Sequence, residues 1–154
     1  MSIRFIHTTC YPVALTPSGP RFLLLRRSSE FLYGVWQGVT GGIEEGESAS
    51  QAARRELKEE TGLTPLRLYA ADTLEQFYTA SSDQILAAPV FVAFVDPDGE
   101  VRLAPEEHSD YRWVSGSDGV ELLSFQSNRD SLVHLEEMIV NDRFHHHLEI
   151  PCSA

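Results

Sequence analysis

The chain has 154 residues, a formal net charge of −11, and 42% hydrophobic and 23% charged content. That length suits one domain spanning residues 1–154 with a substantial core, and the balance of residue types excludes wholesale disorder. The acidity opposes a duplex nucleic-acid partner, which calls for a basic stripe, but leaves small phosphorylated substrates open if divalent cations mediate the contact.

The N-terminal stretch "MSIRFIHTTCYPVAL" has an early Arg but no continuous apolar core followed by small residues, so no signal peptide is expected. No apolar run approaches the roughly 18 residues of a membrane span. Residues 3–15 mix alternation with β-branched and aromatic side chains and read as a strand. Residues 16–20 ("TPSGP") are turn chemistry, and 21–27 ("RFLLLRR") form a partner strand, together a hairpin. A loop at 28–34 and a short extended piece at 35–40 lead to a helix over 48–61. Ser48 followed by Gln51 makes a capping box, no Pro or Gly interrupts the segment, and Gly62 suits the position just past the helix end. Strands are expected at 66–78, 88–95 and 110–114, with a turn at 96–99 ("DPDG"). A second helix over 127–140 puts Leu132, Leu135, Met138 and Ile139 on one face. Several strands with only two helices predict an α/β fold, a mixed sheet flanked by helices. Cys10 and Cys152 suggest neither a disulfide scaffold nor a thiolate metal site, so a reducing cytoplasm is expected.

The 48–61 helix carries an unusual charge pattern. On a helical wheel Glu56, Glu59 and Glu60 share a side with Ala49, Ala52, Ala53 and Leu57, whereas Gln51, Arg54 and Lys58 point the other way. Alanines allow close approach to a neighbouring backbone and would draw the carboxylates out of bulk water. Buried carboxylates must be paired, protonated or metal-bound. Arg55 can pair with Glu59 but does not neutralise three acids. Clustered oxygens suit Mg²⁺ or Mn²⁺ around a polyphosphate; a solvated acidic face without a ligand is the alternative.

The spacing carries a family resemblance. Gly41, Glu47, Arg55-Glu56-Leu57, Glu59-Glu60 and Gly62-Leu63 match the Nudix box, G-x5-E-x7-R-E-U-x-E-E-x-G-U with U aliphatic, at every specified position. The resemblance implies an α/β/α sandwich with a mixed sheet and metal-dependent hydrolysis of a nucleoside diphosphate linked to another moiety. It implies Glu56, Glu59 and Glu60 as metal ligands, Glu47 as a further ligand or a carboxylate behind them, and Arg55 as the residue orienting the glutamates. The carbonyl of Thr40 or Gly41 is a candidate ligand, and Gly41 and Gly42 would let backbone approach metal or phosphate. Residues 36–60, 106–114 and 127–139 further resemble the subgroup of bacterial dihydroneopterin triphosphate pyrophosphatases, which also hydrolyse deoxynucleoside triphosphates. In that alignment Glu107 completes the metal site or serves as general base. The segment after the box helix is short and lacks a basic insertion, a departure from the pterin enzymes as they are usually found.

The reaction expected is attack of water on a phosphorus of a nucleoside or pterin triphosphate, expelling pyrophosphate, with Glu107 or Glu56 taking the proton. Trp36 could stack on a base or pack in the core. Arg26 and Arg27 end a strand where Arg27 could meet substrate phosphate, and Phe77 and Tyr78 could line a base pocket or fill a sheet face. His145, His146 and His147 cannot all face one ion, so no zinc site is expected there. Dinucleoside polyphosphate or nucleotide-sugar hydrolysis is the alternative within enzymes, and a non-catalytic nucleotide-binding module the alternative outside them. For partners the reading expects a small phosphorylated substrate, no duplex nucleic acid and no membrane, and leaves a homodimer open.

Overall fold

Alternation along one strand sets up the whole architecture. In the computed structural model, which describes residues 1–151, β2 (His7–Thr16) sends Cys10 to one side of a sheet and Tyr11 and Val13 to the other, all of them buried. Such a strand, apolar on both faces, belongs at a sheet centre. β2 pairs in parallel with β7 (Gln84–Phe94) on one side, and antiparallel with β3 (Gly19–Arg27) and β5 (Val39–Gly42) on the other. β7 continues to β6 (Arg67–Thr79), which pairs with β9 (Glu149–Ile150). β3 carries β4 (Trp36–Gln37) and β8 (His108–Val114), completing a mixed sheet.

Helix α1 (Ala49–Thr61) covers one face. Ala53 and Leu57 meet Cys10, Leu23, Leu25, Val39, Leu68, Phe91 and Ala93 there. On the other face Leu132 and Leu135 of α3 (Gln126–Val140) pack on Tyr11, Phe22, Leu24, Val90 and Val92. The expected α/β sandwich with a mixed sheet is therefore the observed fold. Within the described residues no helix is long and apolar enough to cross a membrane.

Three expectations about elements are corrected. The strand expected over 3–15 is two strands, β1 (Ser2–Arg4) and β2, both parallel to β7. From Arg4 to Thr9 the chain advances five residues while β7 advances four, Leu86 to Val90, so the surplus breaks the strand at Phe5 and Ile6. The strand expected from 88 begins at Gln84, because β6 and β7 form one long hairpin closed at 80–83, where Asp83 takes φ 49°. A third helix, α2 (Gly116–Leu122), was not expected at all. Its signal was Ser115, whose hydroxyl accepts from the Asp118 amide, but two glycines hid the helical pattern. The space at Gly119 explains one of them: a β-carbon would run into Leu132 of α3. Cys152 lies outside the described residues.

Candidate active site

Glu56, Glu59 and Glu60 sit in the last turns of α1, whose start and end are well determined locally. The Ser48 hydroxyl accepts from the Gln51 amide at 3.2 Å while Gln51 Oε1 accepts from the Ser48 amide at 2.8 Å, the predicted capping box. At the other end Gly62, at φ 76°, donates to the Lys58 carbonyl at 2.9 Å. Between these caps the three glutamates fall into different environments. Glu60 is 5% exposed, the Glu56 side chain 14% and the Glu59 side chain 58%. The expectation that all three would leave bulk water holds for two of them. Glu59 lies at the margin of the alanine arc and stays in solvent.

Arg55 gathers the acids. Its Nε and one terminal nitrogen donate to both oxygens of Glu47, at 2.8 and 3.0 Å. The other terminal nitrogen donates to Glu56 at 2.7 Å and Glu59 at 3.2 Å. The Gly42 carbonyl accepts at 2.8 Å from the same terminal nitrogen that donates to Glu47, so the loop preceding the helix is tied to the helix through one guanidinium. This fork geometry is specific to arginine. The hydrogen bonds from Arg55 hold the Glu47 carboxyl down to about 2. Gly41 passes so close to the helix that a β-carbon there would overlap the Glu56 carboxyl. Gly42 has no such crowding, with only the Ile6 carbonyl near at 3.8 Å.

Glu60 is the group in electrostatic difficulty. Burial, then the charges of Glu56 and Glu107, push its carboxyl up to about 9. Burial likewise raises Glu56, against the pull of Arg55. Glu60 Oε2 is buried with no hydrogen-bond partner among the described residues. The charge of Glu107, in the turn before β8, bears on Glu60. That turn is held by the Ala104 carbonyl, which accepts from the amides of Glu107 and His108, each at 3.0 Å. Glu107 itself is exposed.

The donor set fits a hard divalent cation. The side chains offer only oxygen, one buried carboxylate oxygen lacks a partner, and the local negative charge exceeds what Arg55 balances. Among the described residues no three His, Cys, Asp or Glu side chains already stand in a metal shell; Glu47, Glu56 and Glu59 converge on Arg55 instead.

The remaining predicted residues lie apart from one another. Arg27 faces the helix side, and its charge acts on Glu60. Much of its guanidinium is engaged by its own loop, with Nε donating to the Phe31 carbonyl at 2.8 Å and Nη2 to the Ser29 hydroxyl at 2.7 Å. Trp36 pairs with Arg26 and packs against the α3-side core, on the opposite face of the sheet from Glu60. The Arg112 guanidinium lies 5.0 Å from its ring centroid. Phe77 and Tyr78 are exposed. His145 caps a short 3₁₀ turn, its Nδ1 accepting from the His147 amide at 3.0 Å.

Two buried polar groups were missed from the sequence. His108 is 1% exposed, with Nε2 3.2 Å from Gln37 Nε2, and burial, helped by the Arg27 charge, lowers its pKa to about 4. Its place directly after Glu107 was the available signal. Glu75, on β6, accepts from the Tyr11 hydroxyl at 2.5 Å and from Asn128 at 2.9 Å, and burial raises its pKa. A lone Glu in an alternating strand gave no sequence signal for that network.

Known proteins share this fold. The NUDIX domain profile matches residues 8–135. The octanoyltransferase of Myxococcus xanthus is 40% identical over 114 residues, 73% of this chain. The match spans only 31% of that relative's own length. The dihydroneopterin triphosphate diphosphatase of Escherichia coli K12 is 30% identical over 131 residues, covering 79% of this chain and 84% of the relative. The solved E. coli dihydroneopterin triphosphate pyrophosphohydrolase superposes with a TM-score of 0.70 at 25% identity, over 90% of this chain and 97% of that one. With the full box spanning α1 and the loops at its two ends, three of its carboxyls in the last turns of that helix, and a family match over most of its length, the chain belongs to the Nudix hydrolases.

Proposed function

We propose that this Nudix hydrolase is a divalent-metal-dependent pyrophosphohydrolase that cleaves a nucleoside or pterin triphosphate to the monophosphate and pyrophosphate. The observation that carries the reading is the buried Glu60 carboxyl, raised to about 9 among Glu56 and Glu107 with one oxygen unpartnered. Evolution tolerates such a group where a cation is to be held. The similarity to a dihydroneopterin triphosphate diphosphatase supports the triphosphate as substrate.

Glu56, Glu59 and Glu60 would hold Mg²⁺ or Mn²⁺, with Glu47 behind them and the Gly41 carbonyl beside them. The bound ion supplies charge neutralisation of the phosphates and a lowered pKa for the attacking water. The chain's own residues do the rest. Arg55 fixes Glu47, Glu56 and the Gly42 carbonyl in one frame, so the acids are oriented before substrate arrives. Gly41 and Gly42 let the triphosphate approach backbone. Arg27 offers positive charge at the same end of α1, whereas Trp36, packed on the other face of the sheet, is left out of the base contact. Glu107, exposed and close enough to act on Glu60, accepts the proton of the attacking water; Glu56 is the second candidate. Water forms the new P–O bond, and the bond to the pyrophosphate oxygen breaks. The setting proposed is the cytoplasm, where Cys10, buried and raised to about 12, stays an inert thiol.

The test is phosphorus NMR of the products with Mg²⁺ and, separately, dihydroneopterin triphosphate, dATP and diadenosine tetraphosphate. Pyrophosphate with monophosphate from a triphosphate is the expected outcome. Turnover of the bridged dinucleotide alone would move the chain to another substrate class, and no turnover with retained nucleotide binding would make it a binding module.

A further inference from the structure

Directly behind Glu107 lies a buried titratable side chain that the proposed reaction does not use. His108 is 1% exposed and opens β8, opposite Arg27 of β3. The β3–β8 register slips at this point: Arg26 pairs with Asp110 and Arg27 with His108, leaving Ser109 out of the ladder. A bulge of this kind bends a strand and re-aims the side chains beside it. Gln37, itself 8% exposed, fixes the His108 ring from β4 at 3.2 Å. Leu25, the ladder partner of Gln37, belongs to the α1-side core, so ring and amide lie on the face that carries Glu60.

The backbone around Glu107 is clamped on both sides. The Ser28 amide donates to the Glu107 carbonyl at 2.9 Å, and the Ser28 hydroxyl donates to the Pro105 carbonyl at 3.1 Å. The Ala104 carbonyl takes the amides of Glu107 and His108. The ring of His108 is buried next to this turn and reaches Gln37. An apolar side chain would fill the same space at lower cost, because His108 Nδ1 is buried with no partner among the described residues. Local rules broken in this way are expected where function sets the residue.

We propose that His108 is a positioning residue: wedged with Gln37 beneath the β3–β8 bulge, it fixes the turn that presents the Glu107 carboxylate to the end of α1. This rests on the reading of Glu107 as proton acceptor, and the experiment separates the two. His108→Leu, Glu107→Gln and the double variant are compared for kcat, KM and Tm with Mg²⁺ and the best triphosphate. Glu107→Gln is expected to lower kcat about 10²–10⁴-fold, the range of a lost general base. His108→Leu is expected to lower kcat at least about tenfold with KM and Tm little changed, and to add nothing in the Glu107→Gln background. Gln37→Met, which leaves the imidazole in place, is expected to give a smaller kcat loss that also vanishes in that background, and it serves if His108→Leu does not fold. Additive losses, or losses that follow KM or Tm, would overturn the positioning role alone. Full activity of Glu107→Gln would overturn the proton-acceptor reading and this inference with it.

Discussion

A carboxyl held protonated by its surroundings is unstable ground for a fold, and Glu60 illustrates the exchange of stability for function. Its folded pKa of about 9 stands above the ordinary 4.5. A raised value means that its contribution to stability is fully present below about 4.5 and is lost as pH rises through 9. Glu60→Gln is therefore expected to stabilise the metal-free protein at pH 8 by about 1–3 kcal/mol and to change little at pH 4. The same variant is expected to lose at least about a hundredfold in turnover. Urea denaturation at the two pH values and a steady-state assay check both; equal stability at pH 8 would remove the electrostatic argument. Gly41 is the second residue where function depends on a single atom. Gly41→Ala must displace the Glu56 carboxyl, and it is expected to cost about 1–3 kcal/mol and at least tenfold in kcat. Unchanged activity would show that Glu56 does not need its observed position. The identity of both residues was legible from the box spacing, but the contrast between buried Glu60 and exposed Glu59 was not. A wheel distributes directions around one helix and does not know which neighbour each direction meets.

Among the elements, α1 was legible nearly to the residue because its signals are local: a capping box, an uninterrupted run and a left-handed glycine. Ser48→Ala is expected to cost about 1 kcal/mol by leaving the Gln51 amide without its acceptor; chemical denaturation measures it, and no loss would mean that packing alone holds the helix start. α2 was illegible because tertiary packing chose its glycines. Gly119→Ala pushes a methyl into Leu132, and the expected penalty is about 1–3 kcal/mol. Thermal unfolding of that variant tests whether α2 is held by its fit to α3, and an unchanged Tm would say that it is not. The break between β1 and β2 belongs with α2, since a mismatch of one residue against β7 exists only once the two strands are paired.

At the scale of the whole molecule, a net charge of −11 repels itself and concentrates part of that charge at the end of α1. A cation bound there stabilises the folded state by mass action. Millimolar Mg²⁺ is expected to raise Tm by about 5 °C or more beyond NaCl of equal ionic strength, and chelation to reverse it. Equal shifts from the two salts would reduce the effect to screening. The sequence by itself determined the family, the α/β class and the Glu47–Arg55–Glu56–Glu60 constellation. Those residues sit on one helix and the loop that enters it, where helical spacing is enough to place them. Only the tertiary structure decided that the charge of Glu107 bears on Glu60, that His108 is buried with Gln37 on the α1 side of the sheet, that Trp36 lies on the other face, and that Glu75 is buried against Tyr11 and Asn128. Each of these relations is set by strand pairing between distant segments, and register across a sheet is a property of the folded core that no local pattern encodes.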